Sequence, residues 1–134
     1  MKNILFICKY NRFRSRIAEI LFKRLNKNKI YSVMSAGLIR GKYPLDKNEV
    51  SVAKGLGIKL AGKPRGLSTG LLIKTNIIVI VADDVPSHIF DAEKYGKELI
   101  MWNIPDVKKN EKEEIIKIIK VIEDKVKKFI ENLR

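Results

Sequence analysis

The stretch NILFICKYNRFRS, residues 3–15, decides how this chain folds. Asn3–Ile7 is a short, mainly apolar run that predicts a buried strand, and apolar residues at helical spacing predict a helix over Ser15–Leu25. Between them comes Cys8, the only cysteine of the chain, and Arg14 follows it six positions later. The segment therefore predicts a strand, a short polar loop and a helix, in that order.

The rest of the chain continues to alternate short β-branched runs with longer helical patterns. We expect strands at Ile30–Ser35, Asn76–Ala82 and Glu98–Trp102, and helices at Asp46–Leu56, Ser68–Ile73, Val85–Tyr95 and Lys109–Leu133. Strands that alternate with helices pair in parallel through right-handed crossovers. The pattern predicts an α/β fold: a single open four-stranded parallel sheet with helices on both faces. Since no linker-like segment interrupts the 134 residues, we expect one domain over residues 1–134.

Charge and hydropathy restrict the classes of partner. The 28 Lys and Arg residues outnumber the 15 Asp and Glu residues, which gives a formal net charge of +13. Such an excess suits an anionic partner, although a lysine-rich solvated surface accounts for it as well. The sequence contains no recognised nucleic-acid-binding motif, and no apolar run reaches the ~20 residues of a membrane-spanning helix. We therefore expect neither a nucleic-acid partner nor a membrane partner.

The lone cysteine indicates the compartment. A single cysteine excludes an internal disulfide and a metal site built from several cysteines, and it suits a reducing environment. The apolar run before Cys8 is too short for the core of a signal peptide. We expect a cytoplasmic protein whose one thiol is worth testing for reactivity.

The spacing Cys8-x5-Arg14-Ser15, between a strand and a helix, predicts a site for an oxyanion. Five intervening residues can form a cradle whose backbone N–H groups point inward, and the helix N-terminus adds positive potential. That potential also stabilises a thiolate at Cys8. The Arg14 fork can hold two phosphoryl oxygens, and the Ser15 hydroxyl can donate to the thiolate or cap the helix. The expected phosphate-binding loop, between strand 1 and helix 1, also contains Lys9, Tyr10, Asn11, Arg12 and Phe13.

Two interpretations of this loop stay open from the residues alone. In the first, Cys8 is a nucleophile, and a phosphocysteine mechanism then needs a general acid at the same edge of the sheet. Asp106, after the fourth predicted strand, is our candidate for that acid, although it could instead cap the last helix. Asp83 and Asp84 are rival acids or helix caps. In the second interpretation, Cys8 is a buried strand-end residue and the basic residues only solvate a helix.

The sequence resembles the low-molecular-weight protein tyrosine phosphatase family, which also includes thioredoxin-coupled arsenate reductases. The resemblance is carried by ILFIC (residues 4–8), Asn11, Arg14-Ser15, Ala18-Glu19, SAG (residues 35–37), LGI (residues 56–58), KPRGL (residues 63–67) and WNIPD (residues 102–106). It implies that Cys8 is the nucleophile and that Arg14 clamps the phosphate. It also implies that Ser15 assists the thiolate and that Asp106 acts as acid in the first step and as base in the second.

The resemblance further implies that Asn11 braces the cradle through a left-handed backbone and through bonds to neighbours such as Ser35. The family needs no metal and no cofactor, and we expect none here. Several positions depart from the family pattern: Tyr10 replaces a glycine, Arg16 and Val107 replace prolines, Phe13 replaces a cysteine of many relatives, and Lys108, Lys109 and Asn110 replace residues that include aromatics.

We expect a cysteine-dependent phosphomonoesterase, first of all a protein tyrosine phosphatase, that acts through a phosphocysteine intermediate. Its substrate would be a phosphorylated protein or a small phosphate ester, with inorganic phosphate or a similar oxyanion bound in the loop. The alternatives are a non-catalytic phosphate- or phosphopeptide-binding module on the same fold, and an arsenate reductase. The second alternative would require an external thiol, because Cys8 has no partner cysteine in the chain.

Overall fold

A parallel four-stranded sheet forms the centre of this computed structural model, which describes residues 2–41 and 44–133. Its strands and helices are β1 (Lys2–Cys8), α1 (Arg14–Leu25), β2 (Tyr31–Gly37), α2 (Lys47–Gly55), α3 (Thr69–Lys74), β3 (Ile77–Val81), a 3-10 helix (Ser87–Phe90), β4 (Glu98–Trp102) and α4 (Lys112–Asn132). The predicted fold class is confirmed, and the predicted strands differ from the observed ones by at most two residues at either end.

The strand order β2-β1-β3-β4 places β1 in the interior of the sheet. Cys8, the last residue of β1, pairs with Gly37 at the end of β2, and Ile7 pairs with Ile80 of β3. The chain leaves β1 towards β2 on one side and later returns to β3 on the other side. Such a switch point opens a crevice at the carboxyl ends of the strands, and the loop after Cys8 lies there.

Two apolar layers cover the sheet because side chains alternate along β1. Ile4 and Phe6 face the larger layer, which α1, α2 and α4 complete, whereas Leu5 and Ile7 face a smaller layer. In the larger layer, a cluster of four rings has centroids 5.7 to 6.2 Å apart, formed by Phe6, Phe22, Trp102 and Phe129. The apolar stripe of α4 packs here, so the site at the strand ends rests on a rigid base.

The smaller layer differs from the sequence-based expectation. The predicted helix over Val85–Tyr95 is wrong: the structure has only the 3-10 helix Ser87–Phe90, followed by turns. Asp91 takes a left-handed conformation with φ of 43° and ends the helix after one turn. Phe90 is nevertheless buried and covers the sheet together with Leu71 and Leu72 of α3. Helices therefore lie on both faces, but those on this face are short.

None of the helices within residues 2–41 and 44–133 has the length and apolar character needed to cross a membrane.

Candidate active site

The chain turns from β1 into α1 over residues 8–15, the segment for which the spacing predicts a cradle. Phe13 is the N-cap of α1 and offers no side-chain cap. The bond from the Ile17 N–H to the Phe13 carbonyl, 2.9 Å long, is the one that starts the helix. The N–H groups of the first turn, from Arg14 onward, therefore have no acceptor within the helix. An oxyanion in the cradle can supply that acceptor.

Asn11 holds the cradle in shape. Its backbone is left-handed, with φ of 57°, and the residue is only 1% exposed. Its Nδ2 donates to the Oγ of Ser15 at 2.8 Å and to the Oγ of Ser35 at 2.9 Å. Its Oδ1 accepts from the Arg65 N–H at 2.8 Å. One amide thus joins the cradle to β2 and to the loop before α3, and it also bonds Ser15 within the segment, so three contacts fix the backbone curve.

Gly37 lets the cradle approach β2. A Cβ at this position would lie 2.6 Å from the backbone carbon of Tyr10 and 2.8 Å from the backbone nitrogen of Asn11. Backbone atoms cannot yield at such distances. The glycine in the resembling stretch SAG is thus explained by a close contact with the cradle.

Cys8 lines a cavity of about 160 Å³. The Sγ is 3.0 Å from the Oγ of Ser15, and the residue is 2% exposed. The cavity is lined by Cys8, Tyr10, Arg12, Phe13, Arg14, Asp46, Glu49, Asp106, Val107 and Asn110. Cys8 thus has two environments: it is a buried member of the smaller apolar layer, and it also lines this mainly polar cavity.

Arg14 reaches the same cavity and is 2% exposed. Its Nη1 donates to the Ile104 carbonyl at 2.9 Å, and its Nη2 donates to the Asp84 carboxylate at 3.0 and 3.2 Å. Asp83 is more distant, 3.7 Å from Nη1. A guanidinium has five N–H donors, so at least two remain for a ligand.

This geometry changes the roles that the sequence suggests for Asp83 and Asp84. The suggestion that Asp83 and Asp84 cap a following helix is wrong, because the N-cap of the 3-10 helix is Pro86. Instead, both carboxylates lie beside the Arg14 guanidinium, and Asp84 makes the direct hydrogen bonds. We therefore see Asp84 as a residue that orients Arg14.

Asp106 lies across the cavity from the cradle, on the loop after β4. Its Oδ1 is 3.8 Å from the Arg14 Nε and accepts from the Val107 N–H at 2.8 Å. The alternative that it caps the last helix is wrong, because α4 begins at Lys112 with Glu111 as its N-cap. Its carboxyl is half exposed and faces the cavity that Cys8 lines.

Glu114, which the sequence interpretation did not single out, and Asn110 hold this loop. Glu114, in the first turn of α4, accepts from the N–H groups of Lys108, Lys109 and Asn110 at 2.9 to 3.2 Å. These backbone hydrogen bonds lower the pKa of Glu114. Asn110 in turn accepts from Asn48 and donates to Asp46, which ties the loop to α2. A glutamate three residues after an N-cap is the sequence signal that could have identified this brace.

Glu49 is an acidic residue of the cavity that the sequence interpretation missed. It lies in the first turn of α2 and is 7% exposed. Burial raises its pKa to about 7, and the nearby carboxylates of Asp46 and Asp106 add to the rise, while Arg12 and Arg14 oppose it. Its signal in the sequence is weak, because a glutamate in a first helical turn is ordinary.

Three basic residues of the cradle and of the start of α1 contact neighbouring groups. The Lys9 Nζ lies 5.4 Å from the centroid of the Tyr10 ring, which stands where the family has glycine. Arg12 Nε donates to the Pro44 carbonyl at 2.9 Å. Arg16 donates to the carbonyls of Asn11, Ala61 and Lys63, and burial lowers its pKa. Arg16 therefore joins the cradle to the loop before α3.

Within the part of the chain that the structure describes, no group of three or more His, Cys, Asp or Glu side chains is placed to hold a metal ion.

Comparison with known proteins agrees with this geometry. A family model described as low molecular weight phosphotyrosine protein phosphatase matches residues 3–134. No curated protein sequence matches the chain. Among solved structures, a protein tyrosine phosphatase from Entamoeba histolytica has a TM-score of 0.82 at 20% identity, covering 97% of this chain and 95% of that one.

Two further solved structures have the same fold. A mutant of YwlE from Bacillus subtilis has a TM-score of 0.83 at 16% identity and covers 98% of this chain and 97% of its own. An arsenate reductase from Archaeoglobus fulgidus has a TM-score of 0.74 at 23% identity, with 96% and 99% covered. At these identities the likeness establishes the fold alone.

Proposed function

The chain belongs to the low molecular weight phosphotyrosine protein phosphatase family and is a cysteine-dependent phosphatase, and we propose that Cys8, Arg14 and Asp106 carry its chemistry. One observation supports this assignment above the others. The thiol, the guanidinium and the carboxyl line one cavity at the uncapped N-terminus of α1. Nucleophile, anion site and proton donor are therefore within reach of one phosphoryl group.

In the proposed first step, the Cys8 thiolate attacks phosphorus and the bond from phosphorus to the leaving oxygen breaks. The Asp106 carboxylic acid gives its proton to that oxygen. Arg14 and the N–H groups of the cradle hold the remaining phosphoryl oxygens, where charge concentrates. The product is phosphocysteine and a free alcohol or phenol.

In the proposed second step, water attacks the phosphocysteine and the bond between sulfur and phosphorus breaks. The Asp106 carboxylate accepts a proton from that water, so the acid is regenerated with the thiolate. Ser15 donates to the leaving sulfur through the contact that it makes in the structure. Inorganic phosphate leaves the cradle, and the cycle uses no cofactor.

The substrates of the family are phosphorylated, and for this chain we propose a phosphorylated protein side chain, phosphotyrosine first, or a small phosphate ester. Arg12 lines the cavity, Lys9 precedes the lining residue Tyr10, and the exposed Lys108 and Lys109 follow the acid. Such charges favour acidic phosphopeptides. The description of the matching family, low molecular weight phosphotyrosine protein phosphatase, supports this order of substrates.

The loop residues Tyr10, Asn11 and Phe13 are proposed to shape the cradle rather than to react, and Ser35 to support it. We also propose that residues 1–134 act as one domain in the cytoplasm, since a lone thiol nucleophile keeps its reactivity in a reducing compartment. An arsenate reductase activity would need an external thiol to release the product from Cys8, so we rank it below hydrolysis.

An assay with an aryl phosphate tests the proposal. The protein with a chelator present, and its Cys8→Ser and Asp106→Asn variants, are compared for phenol release and for phosphate binding. We expect turnover by the parent chain, none by Cys8→Ser, and phosphate binding by both. Phosphate binding without phenol release by the parent, even in a single turnover, would instead identify a non-catalytic binding module. Turnover that survives in Cys8→Ser would reject Cys8 as the nucleophile.

A further inference from the structure

Glu49 occupies a position that the reaction described above does not use. It projects from the first turn of α2 and lines the cavity shared by Cys8, Arg14 and Asp106. More than nine-tenths of the residue is buried. Its backbone N–H donates to Asp46 at 2.9 Å, whereas no hydrogen bond joins its carboxyl to another group within residues 2–41 and 44–133. No buried side-chain oxygen of these residues lacks a partner, so the Glu49 carboxyl keeps an opening, and the cavity that it lines provides one. A carboxyl in this position needs a partner when the cavity fills.

Charged groups surround this carboxyl from three elements. Asp46 lies at the start of the same helix, and Asp106 lies on the loop after β4. Arg12 and Arg14 approach from the cradle. The carboxylates and the burial disfavour a charged Glu49, while the two guanidinium groups favour it.

The balance of these influences leaves the pKa of Glu49 at about 7. A doubly charged oxyanion in the cradle adds a further negative charge to the same cavity. It also occupies the N–H donors of Arg14 and weakens the influence that favours the ionised carboxyl. Both effects draw a proton onto Glu49 when the oxyanion binds.

We propose that Glu49 is a further ligand-binding residue of this cavity, which donates its carboxylic O–H to an oxygen of the bound oxyanion and takes up a proton as the ligand binds. Above neutral pH the ionised carboxylate repels the dianion, so Glu49 limits binding there. The inference rests on the proposed function only in that the cradle binds an oxyanion; it does not depend on turnover at Cys8.

Sulfate is a suitable probe, because it stays a dianion from about pH 5.5 to about pH 8.5. Glu49, with its raised pKa of about 7, titrates within this range. Calorimetric titration of the full-length Cys8→Ser chain in two buffers of different ionisation enthalpy measures both the affinity and the protons taken up. The Cys8→Ser background removes the thiol as a source of protons. Three substitutions are each added to this background: Glu49→Gln, Asp106→Asn and, as a charge-matched control on the outer face of α4, Glu123→Gln.

We expect the Cys8→Ser chain to take up about half a proton per sulfate at pH 7 and close to one proton about one pH unit higher, where its affinity should fall about tenfold per pH unit. Glu49→Gln should take up none and bind sulfate with an affinity that is flat with pH. Asp106→Asn and Glu123→Gln should retain the uptake. Circular dichroism checks that each variant is folded.

Proton uptake that persists in folded Glu49→Gln, or that disappears in Asp106→Asn instead, would overturn the inference. Sulfate binding by no variant at any pH would overturn it together with the oxyanion site. Proton-linked sulfate binding in a chain that fails to hydrolyse aryl phosphates would support the inference and contradict the catalytic proposal, so the two fail separately.

Discussion

The Sγ of Cys8 lies 3.0 Å from the Oγ of Ser15, and the same Oγ accepts a hydrogen bond from the Asn11 amide at 2.8 Å. While the Oγ accepts from Asn11, it can still donate its own proton, and it donates to the sulfur when Cys8 is a thiolate, because a thiolate can only accept. Asn11 also donates to Ser35 of β2. The thiol is thus connected to the neighbouring strand through side chains that are themselves fixed.

Replacing Ser15 by alanine should weaken the thiolate without unfolding the cradle. A buried hydrogen bond to a charged group contributes about 1.5–3 kcal/mol, so kcat for an aryl phosphate should fall about tenfold or more. The rate at which iodoacetamide alkylates Cys8 at neutral pH should fall as well. Ser35→Ala is the matched control, since it removes a hydroxyl that bonds Asn11 and not the sulfur. Equal alkylation rates in the two variants would argue against a direct role of Ser15.

Replacing Asp84 by alanine should misorient Arg14. The Asp84 carboxylate bonds Nη2 at 3.0 and 3.2 Å, whereas Asp83 lies 3.7 Å from Nη1 and is half exposed. We expect Asp84→Ala to lower kcat about tenfold without weakening inhibition by phosphate, because a competing carboxylate is lost along with the anchor. Asp83→Ala should change kcat less than about threefold, as an exposed pair contributes little. Steady-state kinetics with phosphate as inhibitor measures both, and equal losses would contradict the assignment.

Replacing Asp106 by asparagine should make the rate depend strongly on the leaving group. An acid that protonates the leaving oxygen matters most for poor leaving groups, so alkyl phosphates should lose about 10²–10⁴-fold and nitrophenyl phosphates far less. A series of substituted phenyl phosphates measures this dependence. Asp83→Asn is the matched control, since that aspartate was the rival acid. The same loss for every leaving group would exclude Asp106 as the acid.

Glu49 should make the stability of the protein depend on pH. Its pKa rises from 4.5 to about 7 on folding, so the folded protein binds more protons than the unfolded chain between these values. The free energy of unfolding contributed by this residue therefore falls as the pH rises through that range. The free energy of unfolding of Glu49→Gln, relative to that of the parent chain, should therefore rise over the same range, by at most about 3 kcal/mol above pH 7. Urea unfolding at a series of pH values checks this, with Glu123→Gln as control, and a difference that is independent of pH would contradict it.

Elements with strong local patterns were predictable from the sequence. The continuous run of β-branched residues in β3 predicts a strand buried on both faces, and all five of its residues are buried. The apolar stripe of α4 predicts a helix buried on one face, and the structure buries that stripe. The loop between β1 and α1 was predictable for another reason, because the spacing of Cys8 and Arg14 only fits a chain that turns between a strand and a helix.

Contacts between distant loops were not predictable in the same way. Asp84 and Asp106 are 22 positions apart, yet both approach Arg14, and the sequence alone presented them as rivals for one role. Glu49 joins them only because α2 and the loop after β4 meet over the cradle. The helix expected over Val85–Tyr95 failed because the left-handed backbone at Asp91 stops it, and no periodic pattern reveals such a stop.

The most direct test of the account is the covalent state of Cys8 during turnover. The reaction of the full chain with an aryl phosphate is quenched in denaturant within the first turnover, and the peptide that contains Cys8 is analysed by mass spectrometry. The account predicts one phosphoryl group on this sulfur at early times and its loss at later times. Release of the phenol while Cys8 stays unmodified at every time point would contradict it.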